Sequence, residues 1–264
     1  MSFAAAAGSP ADTTLHTGTE GLRTGQTTIA VHGTALPLYF AAPADRRNVP
    51  VVLVVQEIFG LHEHIKDVCR RLAHEGYLAV APDLYVRQGD ASQYSDVQTL
   101  FAELVNKVPD QQVLADLDAC ANWAATQGGD VDRLAVTGFC WGGRITWLYA
   151  AHNPKLKAGV AWYGRLQGDA APIRPLHPVD VAGKLHAPML GLYGGQDTGI
   201  PVDTVKTMQA ALAAGGAASR QSSITVYPDA PHAFYADYRP SYRADAASDG
   251  WQRLKAWFQQ HLGG

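Results

Sequence analysis

The sequence predicts a doubly wound α/β fold, in which a mostly parallel sheet is flanked by helices. Strand-like and helix-like segments alternate almost strictly over ~200 residues from Gln26 onward, as in proteins built from right-handed crossovers. The run "VPVVLVV" is continuous and β-branched, which is typical of a strand buried on both faces of a parallel sheet. The chain has 264 residues, 47% of them apolar, and no stretch marks a boundary between two domains. We therefore expect one domain over residues 26–264 and a flexible N-terminal tail over residues 1–25.

The predicted strands and helices follow one another in a regular order. The segments "TTIAVHG" and "ALPLYFAAP" alternate as in an opening hairpin. Six more strand-like segments follow, namely "VPVVLVVQE", "YLAVAPDL", "DRLAVTG", "LKAGVAWYG", "APMLGLYGG" and "SSITVYPDA". The clearest helical patterns are "HIKDVCRRLAHEG", "QQVLADLDACANWAATQ" and the closing "ASDGWQRLKAWFQQHL". We expect the polar stretch from Tyr85 to Pro109 to hold a short helix over one end of the sheet.

Composition and charge exclude several classes of function. A net charge of -3 and the lack of a basic stripe argue against a nucleic-acid partner. The longest apolar runs are only strand-length, so no membrane span is expected. The start "MSFAAAAGSPADTT" has no basic residue ahead of an apolar stretch, and we interpret it as a tail rather than a secretory signal. Three cysteines do not suggest a disulfide framework, so free thiols and a cytoplasmic location are expected.

A cysteine occupies the tip of a glycine-rich corner. "GFCWGG" matches the G-x-S-x-G strand-turn-helix corner of α/β-hydrolases, with Cys140 in place of the serine. The tip of such a corner has a strained backbone, and Gly138 and Gly142 supply the small neighbours that it needs. The following helix N-terminus favours an anion at the sulfur. The pattern predicts an α/β-hydrolase fold with Cys140 as nucleophile, and the alternative is a buried cysteine in a glycine-rich turn.

An acid and a histidine follow the corner in the chain order of this fold. Asp197 comes after the strand "LGLYGG", and His232 lies in the loop after "ITVYPDA". Alone, Asp197 could start a turn or cap a helix, and His232 could be an ordinary loop histidine. Together with Cys140 they stand at the carboxyl ends of three strands, where functional residues of open α/β sheets gather. We predict that His232 moves the proton of the Cys140 thiol and that Asp197 orients the imidazole.

A carboxylate and two backbone N–H groups complete the predicted site. Glu57 ends the buried strand "VVLVVQE", where a carboxylate is costly unless it has a partner. We expect Glu57 to face Cys140, although it could instead cap a helix. The N–H groups of Ile58 and Trp141 are the candidate oxyanion donors.

The stretches "QEIFG", "PDLY", "GFCWGG", "GGQD" and "PHAF" together resemble the dienelactone hydrolase family, the carboxymethylenebutenolidases. The resemblance runs from about Thr27 to the C-terminus. It implies a Cys-Asp-His triad at Cys140, Asp197 and His232, and a glutamate at Glu57 that takes the thiol proton when substrate binds. It also implies no metal or organic cofactor, a monomer, and a reaction that opens an unsaturated lactone bearing a carboxylate.

The sequence departs from the family in the residues that hold the substrate carboxylate. Family members tied to dienelactone place an arginine four residues after the histidine, where this chain has Ala236, and the segment from Asp90 to Pro109 contains no arginine. The candidate substitutes are Arg87, Arg165 and Arg239. We favour Arg239 as the anion clamp, although it could be an exposed loop residue.

Two further groups of side chains lie near these motifs. Aromatic residues beside the proposed site, above all Phe59 and Trp141, could line a substrate pocket or belong to the core. The "HEH" at residues 62–64 could suggest a metal, but no third ligand is evident, and we interpret it as the start of a surface helix.

Three functions remain compatible with the sequence. The leading hypothesis is a cysteine hydrolase that opens small lactones through a thioester acyl-enzyme. The first alternative is a general esterase or thioesterase with the same triad. The second is a non-enzymatic thiol sensor on a hydrolase scaffold, which would have no need for Glu57, Asp197 and His232.

Overall fold

Strand order across the sheet shows how the chain is wound. In the computed structural model, which describes residues 4–263, eight strands form one sheet in the order β1-β2-β4-β3-β5-β6-β7-β8. The antiparallel pairs are β1 with β2 and β2 with β4, and all other neighbours are parallel. The strands are β1 (Leu22–Val31), β2 (Thr34–Pro43), β3 (Val49–Val55), β4 (Leu78–Pro82), β5 (Gly129–Phe139), β6 (Leu156–Trp162), β7 (Met189–Gly194) and β8 (Ser223–Tyr227). The predicted α/β class, the opening hairpin and the strand segments are confirmed.

Helices flank this sheet and connect its parallel strands. They are α1 (Glu63–His74), α2 (Val97–Glu103), α3 (Asp110–Thr126), α4 (Trp141–His152), α5 (Pro178–Val181), α6 (Val202–Ala213), α7 (Ala217–Gln221) and α8 (Ala244–Leu262). Short 3-10 turns occupy Ala5–Ala7, Ala91–Gln93, Val105–Lys107 and Ala182–Lys184. The short helix expected between Tyr85 and Pro109 is α2. Within the described chain, none of these helices has the length and apolar character needed to cross a bilayer.

The central strands are buried throughout. Every residue of β3 and β4 is buried, as the continuous β-branched and alanine-rich runs predict for strands covered on both faces. Because β3 and β4 are parallel, residues just beyond their carboxyl ends lie at the same edge of the sheet.

The segment before β1 is attached to the rest of the domain. The N–H of Ala11 donates to the carbonyl of Tyr238 at 3.0 Å, and the hydroxyl of Thr13 donates to the carbonyl of Asp237 at 2.5 Å. The N–H of Thr17 donates to the carboxylate of Asp67 on α1 at 2.6 Å. The described part of the expected tail thus packs on the domain, and β1 begins at Leu22, ahead of the predicted boundary at residue 26. The sequence could not predict this packing, because it depends on hydrogen bonds and the segment has no hydrophobic periodicity.

Candidate active site

Cys140 lies at a strained corner between β5 and α4. Its backbone has φ 55° and ψ -115°, a conformation that costs a non-glycine residue ~1–3 kcal/mol and persists only where the surroundings enforce it. A side chain at Gly138 would collide with the carbonyl of Gly142. A side chain at Gly142 would collide with the carbonyls of Val55 and Gln56. The two glycines therefore allow the strained turn and bring it directly against the end of β3.

The structure brings Cys140, His232 and Asp197 into one chain of contacts. Nε2 of His232 lies 3.2 Å from Sγ of Cys140, and Nδ1 lies 2.6 Å from Oδ2 of Asp197. Asp197 follows β7, and His232 lies in the loop after β8. The other carboxylate oxygen of Asp197 accepts from the N–H groups of Gly199 and Ile200 at 2.9 and 3.1 Å. The carboxylate is buried and held on both oxygens, so it presents a fixed acceptor to the imidazole.

The charge of the imidazole depends on these two neighbours. Burial alone would lower the pKa of His232. The negative charge of Cys140 and the hydrogen bond to Asp197 outweigh the effect of burial, so the pKa of His232 is raised. The arrangement therefore favours the protonated form of the His232 imidazole.

Two candidate oxyanion donors lie near the corner, one in the turn after β3 and the other at the start of α4. Trp141 is the first residue of α4, and the N–H groups of a first turn have no acceptor within the helix. Ile58 lies in the turn after β3, and its N–H donates to no backbone carbonyl within residues 4–263. Because Gly142 packs against the end of β3, both groups lie at the same corner, as an oxyanion site requires.

Glu57 is buried in the same region, but its contacts differ from our expectation. Its Oε2 accepts a 2.7 Å hydrogen bond from the hydroxyl of Tyr238 and lies 3.2 Å from Nε2 of His62. Its Oε1 has no hydrogen-bond partner among the described residues. No hydrogen bond joins Glu57 to Cys140 within residues 4–263, so the predicted pairing of these two side chains is not made in this structure.

The carboxyl group of Glu57 is nevertheless stabilised in its ionised form. Burial alone would raise its pKa. The hydrogen bond from His62, the charges of His64 and His62 and the hydrogen bond from Tyr238 together outweigh burial and lower the pKa of Glu57. The contacts at Oε2 therefore favour the carboxylate form of Glu57.

The histidines at positions 62 and 64 are not at the surface. Their prediction as the start of a helix is confirmed, since α1 begins at Glu63, but the predicted exposure is wrong: His62 is 4% exposed and His64 is 2% exposed. His62 contacts Glu57, and Nδ1 of His64 lies 3.2 Å from Oδ1 of Asp237. Within residues 4–263 no cluster of three or more histidine, cysteine or acidic side chains is arranged to hold a metal ion.

His62 and Tyr238 are thus site residues that the sequence alone did not identify. His62 could have been suspected, because it follows the "QEIFG" motif closely and the turn there folds it back onto Glu57. Tyr238 gave no local signal, since its contact with Glu57 spans most of the chain.

The three candidate arginines lie in different environments. Arg87 donates to both oxygens of Asp116 at 2.7 and 2.9 Å, so its charge is committed to α3. Arg165 is exposed. The guanidinium carbon of Arg239 lies 5.4 Å from the ring centroid of Phe59, and Arg239 forms no ion pair within the described chain. Of the three, Arg239 is the one in contact with a predicted substrate-binding residue.

Aromatic side chains surround the sulfur. Phe59 and Trp141 are 3% and 8% exposed, and the ring of Trp141 lies 5.3 Å from that of Tyr85. Tyr163 directly follows β6, and its ring meets the His232 ring edge-on at 5.2 Å between centroids. These buried rings pack near the corner, whereas Cys140 itself is half-buried.

Comparisons with known proteins identify relatives along nearly the whole chain. The model of the dienelactone hydrolase family matches residues 36–262. A Salmonella typhimurium protein named "Putative carboxymethylenebutenolidase" is 59% identical over 262 residues, which is 99% of this chain and 96% of that protein. A Methylorubrum extorquens protein of the same name is 57% identical over 95% of this chain and 86% of its own length.

A solved structure agrees with these sequence comparisons. The crystal structure of a "Putative Dienelactone Hydrolase" from Klebsiella pneumoniae superposes with a TM-score of 0.88 and is 60% identical. The match covers 91% of this chain and 99% of that one.

Proposed function

The chain belongs to the dienelactone hydrolase family, and from this premise we propose that it is a cysteine hydrolase of small lactones or esters. The observation that carries the proposal is the chain of contacts from Asp197 through His232 to Cys140, at 2.6 and 3.2 Å. A nucleophile, a base within hydrogen-bond reach and a group that orients the base are the elements of covalent acyl transfer.

In the proposed reaction, Cys140 attacks the substrate carbonyl as a thiolate. The S–C bond forms and the negative charge moves to the carbonyl oxygen, which the N–H groups of Ile58 and Trp141 stabilise. When the C–O bond breaks, the leaving oxygen takes a proton from Nε2 of His232, and a thioester remains. His232 then removes a proton from water, which attacks the thioester and releases the acid, while Asp197 holds the imidazole throughout.

Glu57 would act in a second position of its side chain. Its hydrogen bonds from Tyr238 and His62 favour the ionised form and hold the carboxylate apart from the thiol and its proton. For Glu57 to accept that proton, as the resemblance implies, its carboxylate would have to leave Tyr238 and His62 when substrate enters.

The proposed substrate is an unsaturated lactone that carries a carboxylate, and Arg239 would bind this carboxylate beside Phe59. Support comes from the unpaired charge of Arg239 and its 5.4 Å contact with the Phe59 ring. Ala236 is fully buried, so the arginine position of the better characterised family members offers no anion contact here.

A substrate panel tests this function. The purified chain would be assayed with a carboxylated dienelactone, the methyl ester of the same compound and neutral p-nitrophenyl esters, with Cys140→Ala as the control. We expect lactone turnover and a thioester adduct on Cys140 that mass spectrometry detects in rapidly quenched samples. Turnover of the p-nitrophenyl esters alone would favour the general esterase, and full activity of Cys140→Ala would refute the cysteine mechanism.

A matched pair of arginine variants tests the anion clamp. Arg239→Ala should raise KM for the carboxylated lactone about tenfold or more, because a hydrogen bond to a charged group is lost, and leave the neutral methyl ester unaffected. Arg165→Ala removes an exposed arginine and should change neither substrate. Equal effects of Arg239→Ala on both substrates would contradict the assignment.

We also propose that the chain acts as a monomer in the cytoplasm. All three cysteines are unpaired, and a reducing compartment would keep the thiol of Cys140 available. Sedimentation of the purified chain would test the monomer, and its distribution in fractionated cells would test the location.

A further inference from the structure

We propose that Tyr163 is a further catalytic residue, whose phenolic O–H hydrogen-bonds the leaving oxygen of the ester or lactone. This inference rests on the proposed hydrolase function and assigns a group to its bond-breaking step.

The hydroxyl of Tyr163 is a buried donor without an acceptor. The side chain is fully buried, and its oxygen has no hydrogen-bond partner among the described residues. The hydroxyl of Tyr85, whose ring lies beside Trp141, is likewise unpaired among the described residues, whereas the hydroxyl of Tyr193 accepts from Trp147 at 3.0 Å and that of Tyr238 donates to Glu57 at 2.7 Å. Because leaving a buried polar group unpaired is unfavourable, an unpaired donor beside a reactive sulfur points to a substrate acceptor.

The backbone of Tyr163 is strained as well. Its φ is 36°, in the left-handed region that a large side chain rarely adopts. Cys140, the proposed nucleophile, shares this unusual feature with a φ of 55°. Strain of this kind persists where the surrounding structure enforces it, and it concentrates at active sites. The strained turn holds the Tyr163 ring at the carboxyl end of β6, directly beside the corner.

Strand order places Tyr163 on the same side of Cys140 as Asp197 and His232. β5, which carries Cys140, lies between β3 and β6. The candidate oxyanion donor Ile58 follows β3, on one side of Cys140. Tyr163 follows β6 on the other side, where Asp197 and His232 follow β7 and β8. In the tetrahedral intermediate the oxyanion points to its donors, and the leaving oxygen must face His232, from which it takes its proton.

The contacts of the ring agree with this position. The ring of Tyr163 meets the His232 ring edge-on at 5.2 Å. Burial, followed by the negative charges of Glu57 and Cys140, raises the pKa of Tyr163, so the phenol keeps its proton and can donate a hydrogen bond.

The proposed step balances without an additional reactant. As the S–C bond of the thioester is established, the C–O bond breaks and its electron pair moves to the leaving oxygen. The proton that neutralises this oxygen comes from Nε2 of His232. Tyr163 keeps its own proton and stabilises the growing charge by a hydrogen bond until that transfer is complete.

Esters with different leaving groups test the proposal. The value of kcat/KM reports acylation, and it would be measured for phenyl acetate and p-nitrophenyl acetate with the wild type and Tyr163→Phe. We expect Tyr163→Phe to lower kcat/KM for phenyl acetate about tenfold to hundredfold, as when a transition-state donor is removed. The loss for p-nitrophenyl acetate should be less than about threefold, because p-nitrophenolate is stable without help.

Thermal unfolding separates this role from a structural one. Tyr163→Phe preserves the ring and removes an unpaired hydroxyl, so its unfolding temperature should stay the same or rise. The matched control is Tyr193→Phe, which leaves Nε1 of Trp147 without its acceptor. This control should unfold at lower temperature and keep the wild-type ratio between the two esters.

Equal losses on both esters, an unchanged kcat/KM for phenyl acetate, or a lowered unfolding temperature of Tyr163→Phe would each overturn the proposal. Failure of the underlying function gives a different result, because Cys140→Ala would then retain activity. If Cys140→Ala is inactive while Tyr163→Phe has no preference between leaving groups, the hydrolase function stands and only the role of Tyr163 is refuted.

Discussion

Tyr238 donates a 2.7 Å hydrogen bond to Oε2 of Glu57 and thereby joins the loop that carries His232 to the end of β3. On the opposite side of that loop, Oδ2 of Asp237 accepts from Arg71 of α1 at 2.5 Å. Adjacent residues of one loop thus contact the buried carboxylate and the first helix. The position of His232 is therefore coupled to Glu57 through Tyr238.

Removal of the Tyr238 hydroxyl should weaken this connection. Tyr238→Phe deletes a hydrogen bond to a buried charge, and we expect it to lower the free energy of unfolding by about 1.5–3 kcal/mol. The pKa of Glu57 should also rise, because one of the groups that lower it is lost. Guanidinium unfolding of Tyr238→Phe and of Tyr242→Phe tests this prediction, since the Tyr242 side chain forms no hydrogen bond within residues 4–263. Equal stabilities of the two variants would argue against it.

The ionised Glu57 should make stability depend on pH in the acid range. The folded-state pKa lies below the ordinary value of 4.5, so the carboxylate adds stability above that value, and this contribution is lost as the pH falls through the folded-state pKa. The difference in unfolding free energy between the wild type and Glu57→Gln should be constant down to about pH 5 and shrink below it. Denaturant titrations at several pH values measure this difference. A difference that grows on acidification would show that Glu57 is not held ionised.

The imidazole of His232 should respond to the loss of the sulfur. In Cys140→Ser the negative partner that raises the pKa of His232 is absent, so this pKa should fall. In the wild type the raised pKa adds stability below the ordinary value of 6.5, and this stability is lost as the pH rises through the folded-state pKa. The NMR shifts of the ring against pH measure the change, and Cys120→Ser, at a buried thiol in α3, should leave them as in the wild type. We also expect Cys140→Ser to retain little hydrolase activity, and a fully active serine variant would refute that expectation.

The packing of the corner against β3 predicts a steric effect. Gly142→Ala would place a methyl group against the carbonyls of Val55 and Gln56, and overpacking of this kind costs about 1–3 kcal/mol. Gly183→Ala is the control, because a methyl group there meets only the Cα of Gly215 at an ordinary 3.9 Å. Thermal unfolding should separate the two variants clearly. If Gly142→Ala were as stable as Gly183→Ala, the corner would have more room than the structure indicates.

The sheet and the corner could be predicted because their signals are local. A buried parallel strand such as β3 leaves an unbroken β-branched run, and a strained tip requires small neighbours such as Gly138 and Gly142. The order of Cys140, Asp197 and His232 also follows from the chain, and the structure brings their side chains into contact.

The partners of buried charges could not be predicted in this way. Whether Arg87 serves a substrate or Asp116 depends on how α3 packs, and the structure commits it to Asp116. The burial of His62 likewise depends on Tyr238 and Glu57, which only the tertiary fold brings together. Local sequence identifies the type of a side chain, whereas its partner is decided by elements far away in the chain.

The N-terminal segment is connected to the candidate active site through the loop on which it packs. Ala11 and Thr13 donate hydrogen bonds to the backbone carbonyls of Tyr238 and Asp237. The hydroxyl of Tyr238 in turn donates to Glu57. Proteolytic clipping before β1 would consequently act on the proposed hydrolase site from a distance, through the loop that carries Asp237 and Tyr238. Affinity tags for this enzyme are therefore better fused after α8 than before the N-terminal segment.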